Sequence, residues 1–294
     1  IAAGSVLTVI TVCIVLFSNT YQKVEKWIIG FVSLIGLSFV YELTMVDVPW
    51  LDVMIGLVKP QIPSGSLPVL MSVLGAVVMP HNLFLHSEII QSRQWNLAEP
   101  AVIKRQLDYE FLDTLFSMLA GWVINSAIII LAISTFYAQG TVVNDLQQAE
   151  ALLHPLLGSL SASVFAYALL FSGVASCITA GMAGGCIFAG MFGESYNIRD
   201  LHSRVGLGIT YGAAVAAILL VTNPFKGLVW SQVVLSVQLP VTIFLLLHLT
   251  SSRKVMGDFA NKPLGKLFLF AIAGIITFLN ILLFSDMIKS LAAP

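Results

Sequence analysis

The chain has 294 residues, of which 58% are hydrophobic and only 10% are Asp, Glu, Lys or Arg. A soluble domain carries about 25% charged residues, so the composition excludes a soluble globular protein and predicts an all-α polytopic membrane protein. A net charge of −1 with no basic tract excludes a nucleic-acid binder.

Eight stretches are apolar over about the 20 residues that a helix needs to cross a bilayer. They run 3–19, 26–46, 66–91, 110–136, 160–191, 204–222, 226–249 and 265–288. The first has no charged segment before it and does not read as a signal peptide; it reads as the continuation of a longer chain. After the second comes Asp47–Gly65, with Pro49, Pro60, Pro63 and a short apolar piece, Trp50–Val58. This predicts an outer loop carrying a small interfacial helix.

The third stretch holds the most informative residues, Ala76-Val77-Val78-Met79-Pro80-His81-Asn82. Pro80 has no N–H to give, and its ring clashes with the preceding turn. The helix is therefore predicted to break near Ala76–Pro80, which releases the Ala76 carbonyl. Broken backbone at membrane depth survives only where protein buries it or a polar cavity takes up its bonds. The Met79 thioether beside it is a soft ligand that selects transition metals over Mg²⁺ and Ca²⁺. A discontinuous helix with such a ligand reads as a substrate site in a metal transporter. Past the break lie His81, Asn82, His86 and Glu88. Glu88 follows His81 by two helical turns and shares its face. Because a carboxylate at depth is costly unless paired, Glu88 is predicted to pair with Arg204 at the mouth of the sixth stretch.

Leu97–Tyr109 is a polar inner connection, helical after Pro100, and leads into the fourth stretch with Asn125. Thr141–Pro155, with Asp145, Glu150 and His154, is a second outer loop. Five glycines in the fifth stretch (Gly173, Gly181, Gly184, Gly185, Gly190) allow close helix approach. The cysteines Cys13, Cys177 and Cys186 all lie in apolar stretches without metal-ligand spacing and read as packing residues. Gln232 and Gln238 sit in the seventh stretch and Asn280 in the eighth. No catalytic constellation suggests an enzyme, and no cofactor is expected.

Lys and Arg concentrate in alternate loops: Lys23 and Lys26; Arg93, Lys104 and Arg105; Arg199 and Arg204; Arg253, Lys254, Lys262 and Lys266. The positive-inside rule makes these loops cytoplasmic and puts residue 1 on the outer side. A parent chain starting in the cytoplasm would then carry an odd number of spans before Ile1.

The stretch Gly75-Ala-Val-Val-Met-Pro-His-Asn-Leu-Phe-Leu-His-Ser-Glu-Ile-Ile-Gln-Ser-Arg93 resembles the sixth span of the Nramp family of divalent metal transporters. Asp113-Thr114 through Asn125-Ser-Ala-Ile-Ile-Ile-Leu-Ala132 resembles the seventh. His154-Pro-Leu-Leu-Gly158 with Ser176-Cys-Ile-Thr179 resembles the eighth, and Ser231-Gln232 through Pro240 the tenth. Asn280 sits where the eleventh carries an Asn. The resemblance implies a LeuT-like fold of two inverted repeats, with this chain covering spans four to eleven. Residues 1–46 would close the first repeat, 47–65 form the outer loop, 66–249 the second repeat, and 250–294 an inner loop and a further helix. Three spans would be absent before Ile1. The family's first span carries Asp-Pro-Gly-Asn, which completes the metal site, and no such motif occurs here.

The resemblance further implies proton-coupled import of Mn²⁺ or Fe²⁺ across a bacterial inner membrane. The metal would be substrate, held by Met79, the Ala76 carbonyl and the Gln232 oxygen. His81 would lie on the proton route, with His86, Glu88 and Arg204 as further candidates. Asn82, Asn125 and Asn280 would line the pathway or bridge helices. Two departures bear on proton movement. Val174 follows Gly173 where the family commonly has Gln, and Arg204 stands alone where it often has an Arg pair. Two other readings are a non-transporting sensor or scaffold, and a relative that carries Mg²⁺. The intact Met79-Pro80-His81 argues against the first and Met79 against the second.

Overall fold

The computed structural model describes residues 2–18, 21–59, 61–63, 65–92, 99–140, 143, 148, 159–221 and 223–292. Among them the regular structure is helical. In chain order the helices are α1 (Ala2–Ser18), α2 (Tyr21–Leu43), α3 (Trp50–Val58), α4 (Leu67–Val77), α5 (Pro80–Ser92), α6 (Pro100–Thr135), α7 (Ser159–Gly190), α8 (Leu201–Leu220), α9 (Pro224–Thr250), α10 (Arg253–Met256) and α11 (Pro263–Ala292). Short 3₁₀ turns follow α6 and α10.

Among the described residues seven segments are long and apolar enough to cross a membrane, α4 and α5 together making one of them. The apolar part of α1, Gly4–Ser18, is shorter, so the first of the eight predicted spans falls at the lower limit of spanning length. The short helix expected within 47–65 is α3, which buries none of its residues. Pro100 stands in the first turn of α6, where its missing N–H costs nothing. The polar segment is helical from Pro100, as expected, and residues 100–109 form the first turns of the 36-residue α6.

The chain divides into two compact units. The first comprises Ile1–Pro60 and Leu85–Leu220. In it α7 and α8 meet through small residues. A Cβ on Gly184 would strike the Thr210 hydroxyl, and one on Gly206 would strike the Gly184 carbonyl. Such notches let helix backbones approach closely where lipid provides no hydrophobic drive between helices. The Tyr211 hydroxyl donates to the Cys177 carbonyl across this seam at 2.8 Å. Val12 and Leu16 of α1, Leu85 of α5, Ile178 and Met182 of α7, and Leu207 of α8 complete that core. A second core joins Phe39 of α2 to Ala127 and Leu131 of α6 and Ala168 of α7.

The second unit comprises Gln61–Phe84 and Val221–Pro294. Its core is Leu67 and Met71 of α4, Val233 of α9 and Leu283 of α11. Pro240 lies inside α9. The expected ligands all belong to this unit.

Candidate metal-binding site

The predicted break is present and two residues wide. α4 ends at Val77, Val78 leaves helical geometry with φ −115° and ψ 82°, and α5 begins at Pro80. The Val78 N–H still donates to the Leu74 carbonyl at 3.0 Å, and the Asn82 N–H to the Met79 carbonyl at 3.1 Å. The helical partner of the Ala76 carbonyl would be the N–H that Pro80 lacks. That carbonyl receives no backbone hydrogen bond among the described residues. It sits at the C-terminal end of α4, where the summed peptide dipoles favour a cation.

α9 closes against this end of α4. A Cβ on Gly75 would collide with the Gln232 backbone carbonyl oxygen, so only glycine permits the approach. The Gln232 Oε1 atom is buried and has no hydrogen-bond partner among the described residues. A buried acceptor left unmade costs about 1–3 kcal/mol, and an arriving cation or its bound water would satisfy it. Met79 is half-buried, and the Asn82 amide donates to its sulfur at 3.5 Å. Pro80 is fully buried and His81 half-buried on the first turn of α5. Buried Asn280 donates from Nδ2 to the Ile276 carbonyl at 3.0 Å, and its Oδ1 lies 3.4 Å from the Ser236 hydroxyl of α9. It thus ties α11 to α9. Gln238 is exposed.

The donors here are one thioether and amide oxygens, and all are neutral. Among the described residues no three His, Cys, Asp or Glu side chains gather into a metal site. Donors of this kind suit a soft or borderline cation, and these residues supply no countercharge to it.

The other sequence-predicted residues belong to the first unit. His86 Nε2 lies 3.4 Å from Glu110 Oε1. Asn125 is exposed on α6, and His154 falls outside the described residues. The expected Glu88–Arg204 pair is not formed. Glu88 Oε1 instead accepts the Tyr196 backbone N–H at 2.7 Å. Arg204 Nε donates to the Ile198 carbonyl at 3.0 Å, and its guanidinium lies over the Phe17 ring. The connection between α7 and α8 presents a free N–H and a free carbonyl two residues apart, and these satisfy each charge separately. Tyr196, on the same connection, has its phenol pushed by burial, and next by nearby Cys186, up to about 12.

Two residues were missed at the level of sequence. Gly75 carries no flag without the neighbour that requires it. Glu42 is completely buried with both carboxylate oxygens unpartnered; its one signal was an acid in the last turn of an apolar span.

Residues 1–286 match the sequence profile of the family described as "Natural resistance-associated macrophage protein-like", Nramp. The chain is 36% identical over 279 residues to the divalent metal cation transporter MntH of Caldanaerobacter subterraneus, covering 94% of this chain and 64% of that protein. It is 37% identical over 296 residues to the MntH of Brucella suis, covering 96% and 64%. Among solved structures it resembles the Eremococcus coleocola manganese transporter bound to an aromatic bis-isothiourea compound. That match has a TM-score of 0.74 at 24% identity and covers 98% of this chain and 65% of that one. The fold is the LeuT-like one anticipated. The chain thus spans just under two thirds of the length of the relatives it matches.

Proposed function

The chain belongs to the Nramp family, and on that premise we propose that it forms part of a proton-coupled importer of divalent transition metals, Mn²⁺ or Fe²⁺. The observation that carries this reading is the pairing, within one unit, of a broken helix and an unpartnered oxygen. The α4–α5 break frees the Ala76 carbonyl beside Met79, and α9 abuts it at Gln232, whose Oε1 has no partner. The relatives' names, which specify divalent metal cations and manganese, agree with it.

In this reading a cation enters from outside, loses most of its water, and is held by the Met79 sulfur, the Ala76 carbonyl and Gln232 Oε1. Sulfur favours Mn²⁺ and Fe²⁺ over Mg²⁺, which gives up its water reluctantly and prefers oxygen. The rest of the coordination, including hard anionic oxygen, comes from family segments not represented in this sequence. Rocking of one helix group against the other then exposes the cation to the cytoplasm of a bacterial inner membrane. His81, half-buried on the first turn past the break, is the first proton carrier, since imidazole changes charge near neutral pH. His86, with Glu110 beside it, continues the route. Glu88 and Arg204 act as anchors of the α7–α8 connection instead of as a pair on that route.

The test is Mn²⁺ uptake into proteoliposomes by the full-length protein, with excess Mg²⁺ or Ca²⁺ competing, for wild type and Met79→Ala. Saturable uptake that resists Mg²⁺ in wild type and yields to it in the variant supports the reading. Absence of uptake, or uptake indifferent to Met79, moves the assignment to a sensor or to a different substrate.

A further inference from the structure

Glu42 is the most anomalous side chain in the molecule. It is 0% exposed, and neither carboxylate oxygen has a hydrogen-bond partner among the described residues. Its face of α2 also carries Ile35 and Phe39, which with Val46 just past the helix end pack with Ile124, Ala127, Ile128 and Leu131 of α6 and with Phe165 and Ala168 of α7. Two hydroxyls on these helices are spent on their own backbones, whereas the Ser134 hydroxyl of α6 is itself buried without a partner among the described residues. Ser38, one turn before, donates to the Leu34 carbonyl at 2.7 Å, and Thr135 to the Leu131 carbonyl at 2.6 Å.

No countercharge faces it among the described residues. The α6 stretch packed against α2, from Ile124 to Leu131, contains no titratable group; Lys104, Arg105, Asp108, Tyr109, Glu110 and Asp113 all lie in the first turns of α6. α7 carries no charged residue, and its titratable groups are Tyr167, Cys177 and Cys186, of which Tyr167 is exposed. α1 offers only Cys13. On α2 itself Lys23 and Lys26 lie at the opposite end, and exposed Tyr41 is its neighbour. Glu42 is also in the last turn of α2, where the carbonyl ends of the peptide dipoles disfavour a negative charge. An isolated carboxylate buried in such surroundings is prohibitively costly, whereas the neutral acid bears only the far smaller cost of a buried polar group.

We propose that Glu42 is a proton-binding site, a neutral carboxylic acid in the packed chain that exchanges its proton only when α2 separates from α6 and α7. On separation the O–H bond breaks and the proton passes to water, leaving the carboxylate. On closure the carboxylate must take a proton back from hydronium before the apolar wall can reform. Packing of α2 is thereby linked to one proton bound. This goes beyond the transport reading; only its effect on uptake rests on that reading.

The test is infrared difference spectroscopy of the full-length protein in lipid at neutral pH, wild type against Glu42→Gln and Glu42→Leu. The expected result is one protonated-carboxyl C=O band in wild type, lost in both variants and slow to shift in D₂O. In proteoliposomes, Glu42→Gln should alter the pH profile of Mn²⁺ uptake while leaving its competition by Mg²⁺ unchanged. A carboxylate band at Glu42 would mean the residue is ionised and paired, and would overturn the proposal. So would a protonated band that exchanges immediately, or an unchanged pH profile in a variant that transports. A slow protonated band in a protein that does not transport would uphold the proton site while removing the transport reading.

Discussion

Gly75→Ala tests the idea that the broken helix is held against α9 by a contact that only glycine allows. The added Cβ meets the Gln232 carbonyl oxygen first, then the Gln232 carbonyl carbon and the Ser236 N at 3.0 Å. All three are backbone atoms of a helix, so no side chain can swing away and one helix must move. Overpacking of this kind costs about 1–3 kcal/mol. If borne by the site, that cost corresponds to roughly a 5- to 150-fold loss of metal affinity, at about 1.4 kcal/mol per factor of ten. A displacement of about 1 Å at a binding centre is enough for losses on the order of 100-fold. The assay is calorimetric titration of purified full-length protein with Mn²⁺, accompanied by thermal unfolding. Gly30→Ala on α2 is the control, because nothing lies within 4 Å of its added Cβ, and it should be neutral or gain up to about 1 kcal/mol. Wild-type affinity and melting in Gly75→Ala would refute the close-approach argument.

Gln232→Leu separates a ligand from a core residue. Removing an oxygen that has no partner should leave thermal stability unchanged or raised, while Mn²⁺ affinity falls by roughly 10–100-fold; a clear drop in melting temperature would mean Oε1 has a structural partner after all. Glu88→Gln, Arg204→Gln and the double variant should be additive within about 0.5 kcal/mol in unfolding, because each residue bonds a different backbone atom of the α7–α8 connection. A coupling beyond that margin would restore the ion pair. Glu88→Gln, which keeps an acceptor for the Tyr196 N–H, should lose less stability than Glu88→Ala; equal losses would count against that hydrogen bond.

Much of this architecture is legible residue by residue. The scarcity of charge fixes the solvent, and apolar runs of spanning length locate the helices, because backbone groups in lipid must be satisfied within the segment. Pro80 alone dictates the break, since the missing N–H is a property of one residue. Trp50–Val58, bounded by Pro49 and Pro60, likewise declares a short separate helix. The ends are less well defined: polar residues 97–109 read as a connection that turns helical after Pro100, and that helix runs without a break through to Thr135.

Which residues meet is a different matter. Gly75 is one small residue among 22 glycines until α9 is laid against it. The Gln232 oxygen is an ordinary amide until its surroundings leave it without a donor. Glu88 and Arg204 look like partners by charge, but the backbone of the α7–α8 connection offers each a nearer bond. Glu42 passes for a helix-end acid until α6 and α7 seal it from any countercharge. The sequence determines each helix and its break, because those follow from local hydrogen bonding and hydropathy. The pairing of helices determines which polar atoms go unsatisfied, because that depends on neighbours far apart in the chain.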